Sequence, residues 1–246
     1  MTDLPAHAWA LLIAGALVVG LSKTALPGSA TLAVVVFAAV LPARSSTAAL
    51  LVLLIVGDMM ALALYRRHAD WNTLVRLAPA VAVGIALGAL FLALGDDQLV
   101  RRGIGAVLLS LVVITLMLRR SPARPSAGRA ARIGYGALGG FTTMVANAGG
   151  PVMSLYFLAA RFDVRAFLGT AAWFFAIVNI AKLPIVAGLG LLSPPVLWID
   201  LLLVPAVIVG GLVGWKLAGR LSQRMFDRVV LTLTAATALY LLVGPA

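Results

Sequence analysis

Ala146-Asn147-Ala148-Gly149-Gly150-Pro151 interrupts an apolar run that would otherwise read as one long helix. Ser22-Lys23-Thr24-Ala25-Leu26-Pro27-Gly28 interrupts an earlier run in the same way. Each stretch places small or polar residues first and a proline after them. Proline suits the first turn of a helix, where its missing N–H would have no partner anyway. Each stretch therefore reads as the tip of a helical hairpin, with Pro27 and Pro151 opening the second arm. Broken backbone of this kind survives inside a membrane only where it lines protein or a water-filled cavity. A half-helix N-terminus there offers free N–H donors and partial positive charge, which suits an anion.

The surrounding chain supplies that membrane. Of 246 residues, 63% are hydrophobic and 11% charged, whereas a soluble domain is nearer half apolar and a quarter charged. Repeated apolar runs of about 18 residues or more read as transmembrane helices. The hydrophilic segments are too short for a fused ATPase. A net charge of +11 would suggest nucleic acid in a soluble protein, but here the basic residues are mostly loop arginines, which set topology. No nucleic-acid partner is expected. The chain has no cysteine, so disulfides and thiolate metal sites are excluded. No Lys or Arg precedes Lys23, so no cleaved signal peptide is expected.

In order, the chain reads as a hairpin over 8–41, spans over 46–65, 74–94 and 99–118, and a Pro-, Ser- and Arg-rich linker over 121–132. A second hairpin over 133–160 and spans over 166–187, 196–217 and 226–243 repeat that order. The arms of each hairpin look short for full spans, which predicts re-entrant elements. Landmarks recur at a nearly fixed offset: Pro27 and Pro151 differ by 124, Thr47 and Thr170 by 123, and Pro79/Pro205, Gly84/Gly210 and Gly88/Gly214 by 126. Shared order and spacing favour a duplication, repeat 1 over 1–120 and repeat 2 over 133–246. Loop arginines place Arg66–Arg76, the linker, Arg161/Arg165 and Lys216–Arg228 in the cytoplasm and both termini outside. One hairpin plus three spans then leaves the halves oppositely oriented. The predicted fold is an all-α polytopic membrane protein of two inverted-topology repeats, an architecture that places a ligand where broken helices meet.

Charged groups inside spans are costly and by default functional or paired. Asp58 lies seven residues before Tyr65, about 10 Å from the cytoplasmic end of its span. Lys182 lies near the outer end of another span and Lys23 at the first tip. Asp58 and Lys182 differ by 124 and so occupy corresponding places in the two halves. One reading is a structural ion pair between Asp58 and a lysine. The other has Lys182 attract an anion while Asp58 couples transport to H⁺ or resets the empty carrier. The expected ligand-binding residues are Ser22, Lys23, Thr24, Pro27 and Gly28 at the first tip, Asn147, Gly149, Gly150 and Pro151 at the second, and Asn179 and Lys182. No catalytic residue, metal or cofactor is expected, because the spans offer no Cys, Glu or His. The G-x-x-x-G pairs Gly84/Gly88, Gly136/Gly140 and Gly210/Gly214 read as close helix packing. The Gly134–Gly139 match to a dinucleotide fingerprint lacks the preceding strand it needs. Trp173-Phe174-Phe175 reads as core or lipid face.

The chain also resembles a known family, the TauE/SafE sulfite exporters of bacterial membranes. The matching stretches are Gly20-Leu-Ser-Lys-Thr-Ala-Leu-Pro-Gly28, Asp58 with Tyr65-Arg66-Arg67-His68-Ala69-Asp70-Trp71, and Gly139-Gly-Phe-Thr-Thr-Met-Val-Ala-Asn-Ala-Gly-Gly-Pro151. Gly169-Thr170 and Asn179-Ile-Ala-Lys182-Leu-Pro184 complete the match. The resemblance implies a multi-pass protein of the bacterial cytoplasmic membrane that exports sulfite, sulfoacetate or a related organosulfur anion. The expected mechanism is secondary transport by alternating access, with H⁺ as a candidate coupling ion. A fixed anion channel built from the same tips is the alternative, and the oligomeric state stays open.

Overall fold

The computed structural model describes residues 4–25, 29–120, 128–217, 235 and 238–243. The expectations for Pro27, Gly28, residues 121–127 of the linker and most of the 226–243 span fall outside these residues, whereas the end of the expected linker, Arg129 to Arg132, is the first turn of a helix. The described chain is helical, without strands: α1 (Ala6–Thr24), α2 (Thr31–Val40), α3 (Ala43–Tyr65), α4 (Trp71–Leu94), α5 (Asp97–Arg120), α6 (Arg129–Ala146), α7 (Gly149–Ala159), α8 (Val164–Gly188) and α9 (Pro194–Leu217). Six of these, α1, α3, α4, α5, α8 and α9, are long and apolar enough to cross a membrane. The protein is multi-pass.

Both hairpins are more lopsided than their sequences suggest. Their first arms, α1 and α6, have 19 and 18 residues, about 27–29 Å at 1.5 Å per residue. The returning arms α2 and α7 have only 10 and 11. The expectation of two short arms is therefore corrected. Ser22, Lys23 and Thr24 look like turn residues but complete the last turn of α1, where the one hydroxyl hydrogen of Thr24 is shared between the Gly20 carbonyl at 3.2 Å and the Gly211 carbonyl of α9 at 2.9 Å. The helix ends only at Ala25 (φ −129°). In the second hairpin α6 stops at Asn147, whose φ of 51° is left-handed. Asparagine tolerates that conformation better than most side chains. Pro151 then sits third in α7, where it costs no helical hydrogen bond.

The long arms are clasped by glycine contacts. Gly210 faces the Leu17 carbonyl and Gly214 packs on Leu21, so α1 and α9 run parallel, and Gly20 faces the Val207 carbonyl with the two backbones touching. Gly140 faces the Val81 carbonyl and Gly84 the Ala137 carbonyl, which joins α6 and α4 in the same way. Any Cβ at these positions would collide with backbone, which cannot step aside. Gly84→Val should therefore destabilise the protein by at least ~1–3 kcal/mol, read as a lower melting temperature in detergent. Gly134→Ala is the control, since nothing lies within 4 Å of it. At the centre α3 and α8 run antiparallel: the Trp173 indole donates to the Arg66 carbonyl, and Asn179 lies beside Asp58.

Candidate functional site

Helical periodicity turns one set of residues on each of α3 and α8, centred on Asp58 and Asn179, to a single face. On α3, Leu54, Asp58 and Ala61 recur at intervals of four and three; on α8, Phe175, Asn179 and Lys182 do the same. The two faces oppose each other between the hairpins. A cavity of about 40 Å³ lies there, lined by Ser22, Lys23 and Ala30 of the first hairpin and Thr143, Asn147 and Gly150 of the second. Asp58, Phe175 and Asn179 supply its remaining polar and aromatic wall, with Leu54, Ala61, Leu168, Ala171 and Ala172 as the apolar part.

A single hydrogen-bonded chain crosses this site. Lys23 and Asp58 form an ion pair at 2.5 Å, and the Lys23 ammonium also lies 4.5 Å from the Phe175 ring centroid. The Asn179 amide donates to the second Asp58 oxygen at 2.7 Å. Lys182 donates to the Asn179 carbonyl oxygen at 3.3 Å, to that of Asn147 at 2.7 Å and to the Thr143 backbone carbonyl at 2.7 Å. Asn147 in turn donates to the Thr47 carbonyl at 2.9 Å. Asp58 and Lys182 are wholly buried. Buried charge is tolerable only when it is paired and hydrogen-bonded, and this chain meets that condition from one hairpin to the other.

The expected site residues divide accordingly. Ser22, Lys23, Asp58, Asn147, Gly150 and Asn179 share the cavity. Thr24 turns away, donating to the Gly211 carbonyl at 2.9 Å, and accepts the Tyr65 hydroxyl on its own carbonyl at 2.7 Å. Gly149 packs against Thr143, and neither it nor Pro151 lines the cavity. Lys182 does not line it either. An ammonium has three N–H donors, and they are directed to two acceptors at 2.7 Å and to two longer ones, the Asn179 oxygen at 3.3 Å and the Thr143 hydroxyl at 3.4 Å, so Lys182 ties the second tip to α8. The hairpin ends are also further apart than a meeting at mid-membrane implies. Thr47 and Asp58, which contact Asn147 and Lys23 respectively, are separated by about 16 Å of α3.

Two residues escaped the sequence reading. Phe175 was placed in the core or on the lipid face, although its spacing of four from Asn179 set it on the same helix face. Asp200, in α9, is 1% exposed and was not singled out, although a carboxylate inside an apolar span is itself a signal.

Comparison with known proteins adds a family. The model of the sulfite exporter TauE/SafE family matches residues 12–241. No curated protein and no solved structure matches. That family consists of membrane anion exporters and not of enzymes, in accord with six helices long and apolar enough to cross a membrane. With nearly its whole length matched, the chain belongs to the TauE/SafE sulfite exporter family.

Proposed function

We propose that this protein is a secondary transporter that moves a small sulfur oxyanion out of the cell across the cytoplasmic membrane by alternating access. The observation that carries the reading is the Lys23–Asp58 pair on the wall of a cavity shared by both hairpins. In the empty site Asp58 acts as an internal anion for Lys23. An incoming oxyanion takes over the Lys23 ammonium while Asp58 takes up a proton, with the Asn147 and Asn179 amides and the α7 N-terminus at Gly150 as further donors. When it leaves, Asp58 gives up that proton and returns to Lys23, so the empty carrier does not cross the membrane with an uncompensated charge. A cavity of about 40 Å³ suits a compact oxyanion such as sulfite.

Alternating access draws support from the pairing of elements. If α1–α5 and the chain from α6 onward are inverted copies, α3 corresponds to α8 and α4 to α9. The antiparallel course of α3 and α8, and the equivalent clasps of α1 by α9 and α6 by α4, support that inversion. The two corresponding interfaces, α9 on α3 and α4 on α8, nevertheless differ. Gly211 of α9 packs on Met60 of α3, whereas Ile85, its counterpart on α4, lines an apolar groove of about 280 Å³ between α4 and α8. Exchanging the two arrangements would open the opposite half.

Counterflow tests the reading. Vesicles preloaded with unlabelled sulfite should accumulate labelled sulfite transiently, as a carrier does; large unitary currents without counterflow would support the channel. A short bismaleimide bridging Ala78→Cys and Ala181→Cys should close the groove and arrest counterflow. The chain has no native cysteine to interfere. Unimpaired exchange after complete cross-linking would remove the alternation.

A further inference from the structure

Asp200 stands apart from the polar chain. It is 1% exposed, six residues into α9 and so about 9 Å along that helix. Neither carboxylate oxygen has a hydrogen-bond partner. Among the described residues, the elements packed against α9 offer no counter-charge. On α1, His7 is exposed and Lys23 is paired with Asp58. On α3, Arg44 reaches the Gly95 carbonyl while its backbone N–H bonds Asp97, and Tyr65 bonds Thr24. A bare carboxylate in such surroundings is among the most costly arrangements a protein can adopt. A metal cation would need several oxygen ligands, and no other polar side chain among the described residues bonds Asp200. A proton needs none.

Position suggests what the proton does. Under the offset of 126 that relates α9 to α4, Asp200 corresponds to Leu74, and Leu74 lines the open groove between α4 and α8. Asp200 therefore occupies the closed counterpart of an open crevice. Parting α9 from α3 would expose it at the end of the bundle that holds the start of α1, since α1 and α9 run parallel. We propose that Asp200 is a proton-binding site whose occupancy is required for α9 to close. Water at that face supplies the proton when the crevice is open, the carboxylate becomes a neutral carboxyl, and closure buries it. The site makes the transport cycle depend on the acidity of one face of the membrane, and in that it rests on the carrier reading above.

The test uses the full chain in vesicles. Dicyclohexylcarbodiimide, which attacks protonated carboxyls in apolar surroundings, should modify Asp200, as read by peptide mass, and modification should fall as pH rises. Asp200→Leu, carrying the residue found at the corresponding position, should melt no lower than wild type. Counterflow should vary with pH at the α1 N-terminal face with a slope approaching about ten-fold per unit, and Asp200→Asn should flatten it. Because sulfite itself titrates, the two proteins are compared at each pH. Absence of labelling, a markedly lower melting temperature for Asp200→Leu, or an unchanged pH slope in Asp200→Asn would overturn the proposal. Labelling and melting read Asp200 irrespective of transport, whereas absence of wild-type counterflow would overturn the carrier reading.

Discussion

Lys23→Gln is expected to lower sulfite counterflow by roughly ten- to a hundred-fold or more, since a hydrogen bond to a charged group contributes about 1.5–3 kcal/mol. The same substitution leaves Asp58 buried without a counter-charge. Breaking a buried pair from one side costs about 3–5 kcal/mol, so a melting temperature well below wild type is expected as well. Asp58→Asn should be destabilising for the mirror-image reason, leaving an ammonium unpaired beside Phe175. The double variant Lys23→Gln/Asp58→Asn removes both charges and should recover most of the stability. It should not recover transport. Recovered counterflow in the double variant would show that Lys23 serves only to neutralise Asp58 and that the anion is held elsewhere. The cycle thus separates the structural ion pair from the ligand contact, which are the two readings left open by the sequence.

Lys182→Met should be the most disruptive single change in stability. Methionine has similar length and fills the space, but it leaves the Asn147 side-chain oxygen, now held at 2.7 Å, and that of Asn179, at 3.3 Å, without their donor, while the Thr143 carbonyl keeps only the Asn147 N–H. An unsatisfied buried polar group costs about 1–3 kcal/mol, and at least two are created at once. Asn147 would also lose part of what holds it in its left-handed turn, so the second tip should loosen. We expect little folded protein after extraction, and hydrogen exchange at 143–150 that is fast compared with α3. Wild-type stability with a loss confined to substrate affinity would instead restore Lys182 as a direct ligand.

Much of this molecule was legible from single residues and their spacing. Asp58 and Lys182 stood out because charge in an apolar run demands a partner, and both lie on the central chain. The glycine pairs at intervals of four signalled backbone contact, and Gly84, Gly140 and Gly210 make it. Ser22-Lys23-Thr24 misled, because residues that favour turns are also compatible with a last helical turn when a hydroxyl bonds back to the preceding one. Lys182 misled for a different reason. Its position named the right neighbourhood, but a long side chain reaches many acceptors, and which one it finds depends on a hairpin thirty-five residues away in the chain. Phe175 and Asp200 were hidden by their surroundings, one among other aromatics and the other close to the end of its span.

By itself the sequence determined the solvent, the helices and the interruptions, since hydropathy over about twenty residues and the dihedral limits of proline act locally. Only the tertiary structure decided that Lys23 faces the cavity while Lys182 is consumed in holding it together. It alone decided that α9 is closed on α3 where α4 leaves a groove beside α8. Those outcomes depend on how helices rotate and how far their arms reach, quantities set by packing between distant segments and written in no single stretch of chain.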